Sequence, residues 1–217
     1  ARRLTAFGQT LTDMKLGAQA DAGGWKGRLA SAEIDGDFDW RTQGDGALRA
    51  RLKRLVIGAE EEDATAPDDA AAEPPRRLPG LDVTAQRFVL RGVELGTLEL
   101  QARNRGDTWH LDTLAIANPD GRLGGSGRWR PGPQPLTELD FRLEADDIGR
   151  FAVRMGYGDV VRGGHALLSG QLGWSGAPTR IDYPSLAGAM ELEARDGQFR
   201  KLQPGMGRLL GVLSLQA

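Results

Sequence analysis

Cysteine is absent from the 217 residues, which excludes a disulfide framework, a thiolate metal site, an iron–sulfur cluster and a cysteine nucleophile. That absence is compatible with an oxidising periplasm without selecting it. Histidine is nearly missing too. Only His110 and His165 could supply an imidazole, so a histidine-rich metal centre is ruled out and a Ser-His-Asp site would have to use one of these two. The most apolar stretch, Met206 to Leu215, falls short of the roughly 20 residues that cross a bilayer. Neither a G-x-G-x-x-G nor a Walker A sequence occurs, and Arg128 stands where a nucleophile elbow around Ser126 would need its second glycine. Lys and Arg total 28 against 30 Asp and Glu, and basic residues never run beyond two in a row, so nucleic-acid binding lacks its clustered positive footprint. An initiator methionine and a signal-peptide core are missing at Ala1-Arg2-Arg3, and Leu215-Gln216-Ala217 closes in mid pattern. The sequence therefore reads as a portion of a longer protein whose anchor and export signal lie elsewhere.

What is present is period-2 alternation, the mark of strands with one apolar and one charged face. Ile34, Gly36, Phe38 and Trp40 point one way and Asp35, Asp37, Asp39 and Arg41 the other; Leu48, Ala50 and Leu52 alternate with Arg49, Arg51 and Lys53. A hairpin closed over Thr42-Gln43-Gly44-Asp45-Gly46 sets Asp39 opposite Arg49, Asp37 opposite Arg51 and Asp35 opposite Lys53, with Trp40–Leu48, Phe38–Ala50 and Gly36–Leu52 on the other face. The same alternation recurs at Leu98–Ala102, Leu139–Ala145 and Met190–Ala194, which predicts a one-sided antiparallel sheet. Two short helices are expected, one near 146–156 capped by Asp146 and one near 204–215 opened by Pro204. Residues 59–75 carry seven acids and no base, and the stretch 59–80 reads as a flexible acidic, Ala/Pro-rich insertion between strands.

The chain repeats itself. Met14-x-Leu16-x-Ala18 followed by Trp25 matches Leu98-x-Leu100-x-Ala102 followed by Trp109, both at an offset of 84. Ile34-x-Gly36-x-Phe38-x-Trp40 matches Leu123-x-Gly125-x-Gly127-x-Trp129, and Leu168-x-Gly170-x-Leu172-x-Trp174 is a third copy of that ending. The organisation expected is a first β-groove repeat over 1–58, the insertion over 59–80, and a second repeat with the start of a third unit over 81–217.

These one-sided strands ending in Gly-x-x-x-Trp resemble the AsmA-like proteins of Gram-negative bacteria. The last third resembles the YhdP branch, through Val160-Val161-Arg162-Gly163-Gly164, Leu168-Ser169-Gly170-Gln171-Leu172-Gly173-Trp174-Ser175-Gly176-Ala177-Pro178, Asp196-Gly197-Gln198-Phe199 and Gln203-Pro204-Gly205-Met206-Gly207-Arg208-Leu209-Leu210. The resemblance implies a mostly β fold, a long curved antiparallel sheet of repeated units forming an open apolar groove with two short helices. It further implies an inner-membrane-anchored periplasmic protein carrying phospholipid between the inner and outer membranes, with phospholipid acyl chains as partners, no cofactor and no metal.

By parity the groove lining is expected to include Phe38, Trp40, Leu98, Leu100, Phe141, Leu143, Leu168, Leu172 and Leu192. About eleven strands at about 4.8 Å spacing extend some 50 Å, and two short helices cannot cover such a face. The competing reading is a structural or carbohydrate-binding β-sandwich, in which a second sheet buries that face and the five tryptophans serve as sugar platforms or strand-end packing. An enzyme built on Asp35/Asp37/Asp39, His110 or His165 comes third, since outward strand positions account for these residues.

Overall fold

The computed structural model describes residues 4–6, 9–58, 77–158 and 161–199. Its strands are β1 (Leu4–Ala6), β2 (Gln9–Leu11), β3 (Lys15–Asp21), β4 (Gly24–Ala30), β5 (Ile34–Arg41), β6 (Ala47–Ile57), β7 (Gly80–Leu90), β8 (Val93–Arg105), β9 (Thr108–Asn118), β10 (Gly121–Arg130), β11 (Leu136–Ala145), β12 (Val161–Arg162), β13 (His165–Ser175), β14 (Ala187–Arg195) and β15 (Gln198–Phe199). One helix, α1 (Ile148–Arg154), follows β11, and a 3-10 turn occupies Tyr183–Ser185. Eleven strands form a single open sheet in the order β14-β13-β11-β10-β9-β8-β7-β6-β5-β4-β3; β1–β2 and β12–β15 are separate two-stranded pieces. The mostly β, open-sheet architecture is the one expected. No second sheet of comparable size faces it among the described residues, so the sandwich alternative does not hold there.

Hairpins build most of this sheet. Arg91-Gly92 joins β7 to β8 with positive φ at both residues (50° and 82°), the backbone a two-residue turn needs to match strand twist. The junction of β6 with β7 is different, because those strands pair in parallel, from Ala47↔Gly80 to Ile57↔Leu90. Antiparallel pairing was expected throughout. A parallel step requires the chain, after Ile57, to come back to the end where β6 begins before Gly80 can pair with Ala47. The final residues of the acidic insertion belong to the folded sheet: Arg77 pairs with Asp45 and Asp107 at 2.8 and 3.0 Å, and Gly80 opens β7. The insertion expected over 59–80 therefore ends no later than Arg76, and residues 59–76 lie outside the described residues.

The β5–β6 register agrees with the charge pattern at Asp39↔Arg49, Asp37↔Arg51, Trp40↔Leu48, Phe38↔Ala50 and Gly36↔Leu52, then departs from it. Asp35 faces Arg54 rather than Lys53, because a bulge takes up Lys53. Strict alternation after Leu52 would turn Arg54 and Val56 to the apolar face; the extra residue turns Leu55 and Ile57 there instead. In β7 a matching shift after Ala85 brings in Phe88 and Leu90.

Glycines show which way the sheet bends. A Cβ on Gly27, Gly127 or Gly170, all on the apolar face, would lie 2.3–2.5 Å from a backbone carbonyl oxygen of the adjacent strand, whereas on the charged face Gly17 and Gly124 have nothing within 4 Å. The apolar side is thus concave, and only glycine allows the neighbouring backbones to close in at those points. Helix α1 is capped by Asp147, whose carboxylate accepts from the Arg150 N–H at 3.0 Å; the expected cap, Asp146, instead donates its own N–H to the Asp120 carbonyl. The helix expected over 204–215 lies outside the described residues.

Candidate functional site

Cross-strand pairing aligns the inward residues into rungs perpendicular to the strands. One rung runs Leu16, Leu29, Gly36, Leu52, Ala85, Leu98, Ile116, Leu123, Leu143, Leu168 and Leu192. A second includes Phe38, Ala50, Val83, Leu100, Leu114, Phe141 and Met190, and a third Trp40, Leu48, Leu81, Leu111, Leu139 and Leu172. The rungs carry no ionisable side chain. All nine residues expected to line the groove therefore share one face, distributed over these three rungs.

Their burial is graded. Leu98 is 7% exposed and sits with Ala50, Leu52, Ala85 and Phe88 in a cluster that the protein covers itself. Phe38, Trp40, Leu100, Phe141, Leu143, Leu168 and Leu172 are half-buried. At the outermost strands the same rungs are open, with Leu16 54%, Met190 60% and Leu192 50% exposed. A single curved layer explains this gradient, since only flanking strands cover each inward side chain.

The two rims are closed differently. Trp109, Trp129 and Trp174 form a buried row at one rim, through Trp109↔Trp129, Trp129↔Thr137 and Thr137↔Trp174. Trp109 donates its indole N–H to the Pro79 carbonyl and Trp174 to the Ala177 carbonyl, while Leu78 packs on the row. In the first repeat the equivalent pair is Trp25↔Trp40, where Trp25 is 50% exposed. The buried tryptophans are strand-end packing and offer no stacking platform to a sugar. At the opposite rim, the Phe151 ring of α1 lies against Gly121, and Arg154 clamps the buried Asp120 at 2.6 Å.

The convex face is an ion-pair lattice. Asp37 and Asp35 share Arg28 at 3.4 and 3.1 Å, Asp39 binds Arg41 at 2.7 Å, and Asp82 takes both Arg49 and Arg51. The Arg51 guanidinium beside Asp82 holds its carboxyl below the usual carboxylate range, and Arg128 does the same for Glu138. His110 faces Arg103 and Arg128 across its neighbours, and His165 starts β13; neither makes a side-chain hydrogen bond among the described residues. Among those residues no three His, Asp or Glu converge as metal ligands.

The family model described as YhdP protein matches residues 1–217. The chain belongs to the YhdP family. No curated protein and no solved structure gives a match. Sequence parity alone missed part of this YhdP-family chain's concave face. Leu111 and Leu114 both point inward because a bulge at Asp112 and Thr113 restores the face, and Arg103 and Arg105 secure Asp112 at 2.6 and 2.7 Å. The signal was present as the break in alternation at Leu111-Asp112-Thr113-Leu114.

Proposed function

We propose that the concave face carries phospholipid acyl chains, and that this chain is a non-enzymatic section of a periplasmic bridge, anchored at the inner membrane, along which lipid passes to the outer membrane. The observation that carries this reading is the continuity of three uncharged rungs across the open sheet, with no second layer over them among the described residues. An apolar surface of this length, about 48 Å at about 4.8 Å per strand, suits long hydrocarbon without asking it for any polar partner. Membership of the YhdP family supports the same reading.

Photo-crosslinking residues placed one at a time along the strands test it. A benzophenone side chain at Leu100 or Phe141, on the concave face, is expected to crosslink to phospholipid in cells, and one at Glu99 or Arg142, on the convex face, is not. Equal labelling of both faces would reject the assignment.

A further inference from the structure

Beside α1 lies a cleft of about 570 Å³ lined by Arg150, Arg154, Arg162, Asp120, Asp147 and the apolar Val153 and Val161, among others. Among the described residues three cations meet two acids there, a formal excess of one positive charge. The acids are also unequally available. Asp120 has a side-chain exposure of 8% and is committed to Arg154 at 2.6 Å, which fixes that guanidinium in place. Arg150 is 69% exposed and reaches Asp120 and Asp147 only at 3.5 and 3.3 Å, so most of its donors face the cleft and solvent. Arg162 is exposed and has no ion-pair partner among the described residues.

The geometry points to a binding cleft for the phosphate of a phospholipid headgroup, an inference that rests on the acyl-chain reading of the concave face. Arginine presents planar forked donors that match phosphate oxygens, and donors unspent on carboxylates are free to make such bonds. The cleft's position fits. Asp120 adjoins Gly121, the first residue of β10, and Leu123 of the longest rung follows two residues later, about 7 Å along the strand. A lipid with its tails over Leu123, Leu143 and Leu168 would carry its phosphate to this rim, with Val153 and Val161 flanking the glycerol region. A free phosphate ion would share the anion chemistry but gain nothing from those valines.

Calorimetric titration of the protein with dihexanoyl-phosphatidylglycerol, dihexanoylglycerol and glycerol 3-phosphate separates the sources. Arg150→Gln with Arg162→Gln is expected to weaken the phospholipid about tenfold or more, to leave dihexanoylglycerol unchanged, and to abolish the weaker binding of glycerol 3-phosphate. Undiminished phospholipid affinity in that variant overturns the cleft. Wild-type binding of glycerol 3-phosphate as tight as that of the lipid also overturns it, by assigning the site to free phosphate. Leu143→Asp tells the two readings apart. If it removes dihexanoylglycerol binding while the arginine variant behaves as wild type, the acyl path stands and the cleft falls. If it changes nothing while the arginine variant loses glycerol 3-phosphate, the acyl path falls and, with it, the headgroup assignment. Should the double variant melt early, Arg162→Gln alone carries the test, since no ion pair among the described residues is broken by it.

Discussion

Arg51 binds Asp82 across the parallel junction, one guanidinium nitrogen on the carboxylate and another on the main-chain carbonyl, both at 2.8 Å. Its directly opposed residue in the antiparallel ladder is Asp37, whose own partner is Arg28. The seam between the two halves of the sheet is thus tied from its convex side. A double-mutant cycle of Arg51→Ala with Asp82→Ala is expected to give a coupling of about 0.5–1 kcal/mol, because the side chains are 48% and 34% exposed and solvent screens them. The cycle of Arg51 with Asp37 is expected to give close to zero. The reverse ranking, read from urea unfolding midpoints, would contradict the seam.

The same contacts set a pH response. Hydrogen bonds from Arg51 lower the Asp82 pKa, those from Arg128 lower Glu138, and those from Arg142 and Arg122 lower Glu144. A carboxyl depressed in the folded state contributes stability that is present above its unfolded pKa of about 4 and is lost as pH falls through the folded value. Stability should therefore decline from about pH 5 downward, and Asp82→Asn with Glu138→Gln and Glu144→Gln should flatten the decline. An unchanged slope between pH 5 and pH 3 would assign it to other groups.

The parallel step makes linker length, not linker sequence, the requirement at 59–76. Gly58 must connect to Arg77 at the far end of an 11-residue strand, about 33 Å away. An 18-residue Gly/Ser replacement should melt within about 2 °C of the wild type, whereas one below about ten residues cannot reach and should unpair β6 from β7. A six-residue linker that melts normally would disprove the parallel pairing.

Concavity is tested by two glycines three residues apart in β10. Gly127→Ala puts a methyl 2.4 Å from the Glu138 carbonyl oxygen and should cost about 1–3 kcal/mol. Gly124→Ala meets open space and should be neutral or stabilising by about 0.5–1 kcal/mol. Equal effects on the thermal midpoint would mean that the sheet is not bent toward its apolar side.

Much of this architecture was legible in the sequence wherever alternation was unbroken. Charge and apolarity agree on one register at Asp37↔Arg51 and Phe38↔Ala50, and a slip of one residue would invert both faces. Parity also placed Phe141, Leu143 and Leu172 correctly on the shared face. It failed where a bulge resets it, at Lys53 and at Asp112–Thr113, because alternation has no means of counting an unpaired residue. The parallel seam was hidden for another reason: strand direction depends on where a long connection ends, and Arg77 reveals that only through its ion pairs with Asp45 and Asp107. The arginine cleft joins the turn before β10 to α1 and β12, residues distant in sequence and silent as a motif.

The central claim, that the concave face is an open path for acyl chains, is tested most directly by Leu143→Asp, with native mass spectrometry of the protein purified from cells and thermal melting on the same sample. Leu143 is half-buried between Leu123 and Leu168, so its carboxylate can stay hydrated in the empty face but would stand, at a cost of several kcal/mol, where hydrocarbon must lie. The account predicts that wild type carries phospholipid and that the variant folds, melts within a few degrees of it, and carries none. A folded variant that retains phospholipid as wild type does would contradict it.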